Sequence, residues 1–400
     1  MWDAIVVGAG PVGGLMARRL AEHNLRVLIL EEHSEVGRPF QCAGLVNPGA
    51  MEIVDLQSSI LTTIDGAIMH SPSGVTIQIG VRGHPRTYAV CRKLFDQGVV
   101  RQALDAGAEL RLDSRAFALT EIDGGWAVRF EHRGVEHTEM TSLLIGADGA
   151  HSWVRRTLKM GFPKEQLIGY QIEAVGFSTE EGFLEMFTGS DIAPGLFAWA
   201  VPSGETYRIG TWVRASDLGN RRAIDLHRAL LSSPVHGHRF ENIGVVAQHC
   251  GPLPCGMVRR PWARHALVVG DAAGLAKPTT GGGIGPGFNQ VEAIIPSLVK
   301  AIQGGSLSAS ALRRVMRPTV KIGKELERSR ILRNVFVTDR TPGELDDVFR
   351  SFAKPEVLAL INKEGDIEHP VRLGMSMLRR VPEFRRLATK ATWALLTKRS

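Results

Sequence analysis

Asp3-Ala4-Ile5-Val6-Val7-Gly8-Ala9-Gly10-Pro11-Val12-Gly13, close to the start of this 400-residue chain, is the stretch that decides the fold. Residues 3–7 read as a short apolar strand, the glycines follow as Gly-x-Gly-x-x-Gly, and a helix-like run covers 15–23. Residues 26–30 form a second apolar strand ending at Glu31. Strand, glycine turn, helix, strand and acid in that order make a dinucleotide-binding unit. Gly8 makes the tight turn, Gly10 lets the backbone approach a pyrophosphate, and Gly13 lets the helix sit close on the sheet. The free N–H groups of the helix start then face the anion, and Glu31 is placed to accept hydrogen bonds from a ribose.

Two further apolar runs end in glycine and aspartate. Leu143-Leu144-Ile145 leads into Gly146-Ala147-Asp148-Gly149, and Ala266-Leu267-Val268-Val269 leads into Gly270-Asp271-Ala272-Ala273-Gly274. Apolar runs without alternation are the mark of strands buried on both faces. Ligands of such sheets gather beyond the carboxyl ends of the strands. A single Asp there reads equally well as a helix N-cap, whereas three strand-end signals point to one nucleotide site.

This trio resembles that of the glutathione-reductase-type FAD proteins in their aromatic-hydroxylase branch, where all three motifs serve one FAD. The resemblance implies that Asp271 holds the ribityl chain and that Asp148-Gly149 supports the pyrophosphate side. It implies that Arg92 starts the second helix near the FAD and that Ala116 offers a backbone contact to adenine. Val12 and Glu32, beside the glycine turn and Glu31, complete the set. The fold expected is an α/β Rossmann-like FAD-binding domain interleaved with an antiparallel-sheet substrate domain, followed by a helical C-terminal segment. Residues 1–65, 88–160 and 257–325 are assigned to the first, 66–87 and 161–256 to the second, and 326–400 to the third.

A narrower resemblance, to the geranylgeranyl reductases, covers most of the chain. Gln41-Cys42-Ala43-Gly44 resembles that family's Cys-containing loop beside the flavin. Pro278-x-x-Gly281-Gly282-Gly283-Ile284 resembles its Pro-x-x-Gly-x-Gly-Ile turn, whose N–H groups face the flavin pyrimidine. Pro194-x-x-Phe197-x-Trp199-x-Val201-Pro202 resembles its Pro-x-x-Tyr-x-Trp-x-Phe-Pro substrate motif, with Phe197 replacing Tyr and Val201 replacing Phe. Read from the residues alone, Phe197, Trp199 and Val201 project from one strand face. That face is either sheet core or, with Trp212 and Phe187, the wall of an apolar tunnel for a chain without polar handles.

The resemblance implies hydride transfer from reduced FAD to an isolated double bond, followed by protonation. Cys42 is the candidate proton source or flavin-tuning group, the alternative being a small residue packed against the ring. His70, His84 and His151 have no visible partner. One dinucleotide fingerprint leaves the external electron donor open among NADPH, ferredoxin and another carrier. The rival readings are an FAD monooxygenase, a halogenase of an apolar or aromatic substrate, and a prenyl-lipid-binding protein.

The composition, 44% hydrophobic and 22% charged, is ordinarily globular. Cys42, Cys91, Cys250 and Cys255 suggest no disulfide framework, and Cys250 and Cys255, in what reads as a proline-containing loop, lack a second ligand pair for zinc. The net charge of +7 is not a nucleic-acid signature. It resides in residues 371–400, where eight Lys or Arg face the one acid Glu383, and the rest of the chain is balanced. There Phe384, Leu387, Ala388, Ala391 and Leu395 recur at helical spacing, either as a basic amphipathic helix on an anionic membrane or as a helix packed on the body. With no signal-peptide pattern and no spanning run, the expected location is cytoplasmic or peripheral on the cytoplasmic membrane face.

Overall fold

A computed structural model describes residues 1–39, 42–364 and 370–382. Gln41 and the amphipathic stretch of the C-terminal tail lie outside the described residues. The strand Trp2–Val7 pairs in parallel with Val27–Leu30 on one side and with the end of Val135–Gly146 on the other. Glu109–Arg111 and Ala266–Val268 extend the parallel sheet at its two sides. Antiparallel strands Ser114–Ile122 and Gly125–His132 continue it along the body of Val135–Gly146.

Both faces of this sheet are dry, which is why its strands read as unbroken apolar runs. Ala4 and Val6 face a core filled by the helices Pro11–Ala21, Arg92–Asp105 and Ile284–Gln303, while Ile5 and Val7 face a second core around Val128, Phe130 and Val154. The first helix begins at Pro11, ahead of the apolar run, because proline suits a first helical position.

A second, seven-stranded sheet has the order Gly244–Cys255, Glu165–Val175, Thr206–Arg214, Ala193–Ser203, Phe183–Gly189, Gly66–His70 and Thr76–Gly80. It is antiparallel except where Phe183–Gly189 runs alongside Gly66–His70. Pro252 and Pro254 lie in Gly244–Cys255, so the expected loop is an edge strand, whose one unpaired side tolerates residues without N–H groups. A small sheet of Leu45–Val46, Thr87–Val90 and Ile60–Ile64 lies beside it.

C-terminal helices close the molecule. Arg333, at the end of the helix Arg317–Arg333, makes a bidentate pair with Glu165 (3.0 and 2.8 Å) and donates to the Pro278 carbonyl at 2.9 Å. One buried guanidinium thus ties helix, second sheet and the Pro278 turn together. No helix among the described residues is long and apolar enough to cross a membrane.

Candidate active site

The glycine turn has the geometry its sequence implies. Gly8 adopts φ +102°, and a Cβ there would come 2.5 Å from the Ala147 carbonyl oxygen. A Cβ on Gly13 would come 2.1 Å from the Gly8 oxygen, so the helix rests directly on the turn. Gly10 differs: its backbone (φ −69°, ψ 175°) suits any residue, and a Cβ there meets nothing within 4 Å. Packing within the protein therefore does not require glycine at this position. The open space lies at a helix start with no side-chain cap, a place suited to a phosphate group. Val12 is wedged between Gly270 and Gly287, which leaves its backbone as the part available to a ligand.

Glu31 is buried and held in place. Its carboxylate accepts the Ala9 N–H at 2.8 Å and the His33 N–H at 3.0 Å, with the His33 ring 2.6 Å away. Ser114 donates to the Glu31 carbonyl at 2.7 Å, and Ala116 follows two residues along that strand. Glu32 lies beside them in an open cleft of about 820 Å³ lined also by Asp113, Arg115 and Arg133.

The N-cap of the helix that follows Asp148 is Ser152, whose side chain accepts the Arg155 N–H at 3.0 Å, and Asp148 adds a second bond to the same helix start. Its Oδ2 accepts the Val154 N–H at 3.0 Å at the start of the helix Trp153–Thr157. Its Oδ1 is buried without a partner, and burial raises the carboxyl above its ordinary range. Gly149 (φ +69°) borders open space.

Arg92, Asp271, Gly283 and Cys42 come together. Arg92, the first residue of its helix, makes a bidentate pair with Asp96 (2.9 and 2.8 Å). Burial works against its charge, but Asp96 and the neighbouring Cys42 sulfur outweigh it and hold the guanidinium firmly protonated. Burial pushes the Asp271 carboxyl up, opposed only by Arg92, with no hydrogen bond from the described residues to hold the charge. A Cβ on Gly283 would lie 2.4 Å from Asp271 Oδ1, so glycine here leaves that carboxylate room. Ile284 opens the following helix.

The motif from Pro194 to Pro202 forms part of the strand Ala193–Ser203. Phe197 packs edge-on against Trp212 (centroids 5.1 Å apart) and Trp199 (6.4 Å), and the Trp199 ring lies against Gly210. Trp212 is buried with no partner for its Nε1 among the described residues, and it covers Gly281 of the Pro278 turn. Val201 is core, packed with Ile64, Ala67 and Ala89, and Pro202 is buried beside it. Phe187 does not join this wall. It lies on the opposite sheet face with Ala198 and Ala200, stacked on His70, because alternation along one strand does not say which face a neighbouring strand presents. His70 has a partner after all, Glu185 at 2.8 Å.

Two residues escaped the sequence reading. Gln171 accepts the Trp199 indole N–H at 3.1 Å and donates to the Cys42 carbonyl at 3.4 Å, linking the aromatic wall to the cysteine loop. Arg208 donates to the carbonyls of Ala43 (2.9 Å) and Val90 (3.1 Å). The Gly44 N–H points at the Cys42 sulfur, 3.3 Å away. No motif announces either side chain. The only signal available was a Gln and an Arg at positions that alternation turns inward.

Residues 1–312 match the family model described as an FAD binding domain. A digeranylgeranylglycerophospholipid reductase of Methanopyrus kandleri is 32% identical over 327 residues, covering 78% of this chain and 84% of that one. A geranylgeranyl bacteriochlorophyll reductase-like protein from Thermoplasma acidophilum superposes with TM-score 0.83 at 20% identity, over 98% and 99% of the two chains. A halogenase solved in complex with FAD shares the fold at TM-score 0.72 and 14% identity, over 99% of this chain and 91% of its own. Fold alone therefore does not choose the chemistry. The open space at Gly10, the uncapped helix start and the roomy Asp271 carboxylate suit the cofactor. The protein is an FAD-dependent oxidoreductase, and its chain belongs to the digeranylgeranylglycerophospholipid reductase family within the FAD-binding flavoproteins.

Proposed function

We propose that this enzyme saturates double bonds in the geranylgeranyl chains of an isoprenoid glycerophospholipid. The observation that carries the reading is the link Trp199–Gln171–Cys42: the aromatic wall of the second sheet is hydrogen-bonded, through one side chain, to the loop beside the Arg92 and Asp271 cluster. An isolated double bond offers no polar group for recognition, so the chain must be oriented by shape. Phe197, Trp199 and Trp212 supply that shape.

In this reading Gly8, Gly10, Val12 and Gly13 hold the pyrophosphate, with Gly149 bordering it, and Glu31 and Glu32 serve the ribose side. Ala116 serves the adenine, Asp271 the ribityl chain, and Gly283 and Ile284 the pyrimidine edge. Bound and reduced, FAD supplies the hydride for one carbon of the double bond. The protein supplies the rest. The apolar wall excludes water from the reacting carbons, Arg208 and Gln171 hold the loop 42–44 in place, and Cys42 or a water passes a proton to the second carbon. The electrons come from an external donor, which is NADPH, a ferredoxin or another carrier.

The test is to reduce the bound flavin anaerobically, add geranylgeranyl lipids, and follow their masses. Gain of hydrogen pairs supports the reading. No gain of hydrogen by any lipid tested, together with an oxygenated product in air, would sink it.

A further inference from the structure

Phe162 is 79% exposed and is the one exposed Phe, Trp or Tyr side chain among the described residues. It sits at the tip of the turn between the helix Trp153–Thr157 and the strand Glu165–Val175. Pairing of Glu165 with Cys255 brings a second segment beside this turn. There the Lys164 N–H donates to the Gly256 carbonyl (3.1 Å) and the Arg260 N–H to the Met160 carbonyl (3.4 Å).

The two segments, 156–164 and 256–264, contain no acid. Around Phe162 they expose Arg156, Lys159, Lys164, Arg259 and Arg260. Lys164 reaches Glu327 at 3.7 Å, whereas Lys159, Arg259 and Arg260 have no carboxylate partner among the described residues. The charge-balanced body of the chain thus carries a local basic face with one apolar anchor at its centre.

We propose that this face docks on an anionic lipid bilayer, with Phe162 inserted at the headgroup boundary and the ring of cations set against lipid phosphates. Charge complementarity selects the occupant. Unpaired cations gain most against a surface of negative charge, and an aromatic ring among them gains by leaving water for the interface. A nucleic acid would call for several stacking rings along a groove, and here there is a single protruding ring. The choice of a bilayer rests on the lipid-reductase reading only in that the substrate would reside there.

The full chain with FAD bound is to be co-sedimented with phosphatidylcholine vesicles, with and without phosphatidylglycerol, at low and high salt. Wild type is expected to bind the anionic vesicles and to be released by salt. Phe162→Ser should weaken binding several-fold. Arg259→Gln with Arg260→Gln should weaken it about five-fold per charge and flatten the salt dependence. Flavin absorbance and reduction of a detergent-dispersed substrate should stay unchanged in both variants, which separates a failure of docking from a failure of the reductase reading. Wild type that ignores anionic vesicles, or variants that bind them as wild type does, overturns the proposal. So does loss of binding to a ferredoxin rather than to vesicles.

Discussion

The Arg208 guanidinium lies so close to Gly44 that a Cβ on residue 44 would come within 2.1 Å of its Nη1. That same nitrogen bonds the carbonyls of Ala43 and Val90, and Gly44 itself adopts φ +72°. The loop that carries Cys42 is therefore shaped around a buried cation from the second sheet, 165 residues away in sequence.

Gly44→Ala must strain the backbone and displace Arg208 together. We expect a loss of about 2–3 kcal/mol in stability, read by urea denaturation. Gly49→Ala, where φ is not positive and the nearest atom is 4.0 Å away, is the control and should stay within about 0.5 kcal/mol of wild type.

Arg208→Met keeps an unbranched stem but is shorter, and it removes the guanidinium whose Nη1 makes both bonds. The Ala43 and Val90 carbonyls then lack this bond inside the protein, at about 2–4 kcal/mol. Thermal melts with and without added FAD check this: stabilisation by the cofactor should shrink as well, since the loop loses its anchor.

Gly10→Ala separates folding from cofactor binding. The new methyl meets no protein atom within 4 Å, so flavin-free protein should melt as wild type does. Affinity for FAD, from fluorescence titration, should fall at least about ten-fold, or 1.4 kcal/mol. Undiminished affinity would remove Gly10 from the pyrophosphate site.

Gln171→Leu cuts the link between Trp199 and Cys42 while leaving the FAD turns intact. Flavin content should hold, and kcat/KM for lipid reduction should fall about 10- to 100-fold, corresponding to one or two buried hydrogen bonds. A fall in flavin content instead would assign Gln171 to the cofactor.

His227 gives the protein an acid limit. Burial lowers its pKa from 6.5 to about 4, while its Nε2 bonds the Ile209 carbonyl at 3.2 Å. The stability due to the neutral ring is complete above the unfolded value and is lost as pH falls through the folded one, about 3 kcal/mol in all. His227→Gln keeps a donor for Ile209, so urea midpoints followed from neutral pH to about pH 4 should fall less steeply in this variant.

The nucleotide turn could be read early because its constraints are local: residues 3–31 contain both the strands and the turn that joins them. Asp271 ends a local strand-and-turn pattern of the same kind, whereas the turn from Pro278 to Ile284 was read only through its resemblance to the geranylgeranyl reductases. Phe187 was misplaced because period-two alternation fixes faces within a strand but not between strands. Asp148 had two readings in sequence, and only the tertiary structure shows that Ser152 is the cap and that the Asp148 carboxylate accepts the neighbouring Val154 N–H.

By itself, then, the sequence determined the α/β class, the dinucleotide unit and the aromatic strand 197–202, because short-range periodicity and glycine spacing encode them. Tertiary structure alone decided that Gln171 joins Trp199 to Cys42, that Arg208 shapes the loop around Gly44, and that two acid-free segments about a hundred residues apart form one basic face around Phe162. Each depends on strand pairing across long stretches of chain, and register is set by the burial of whole sheet faces rather than by any residue's neighbours in sequence.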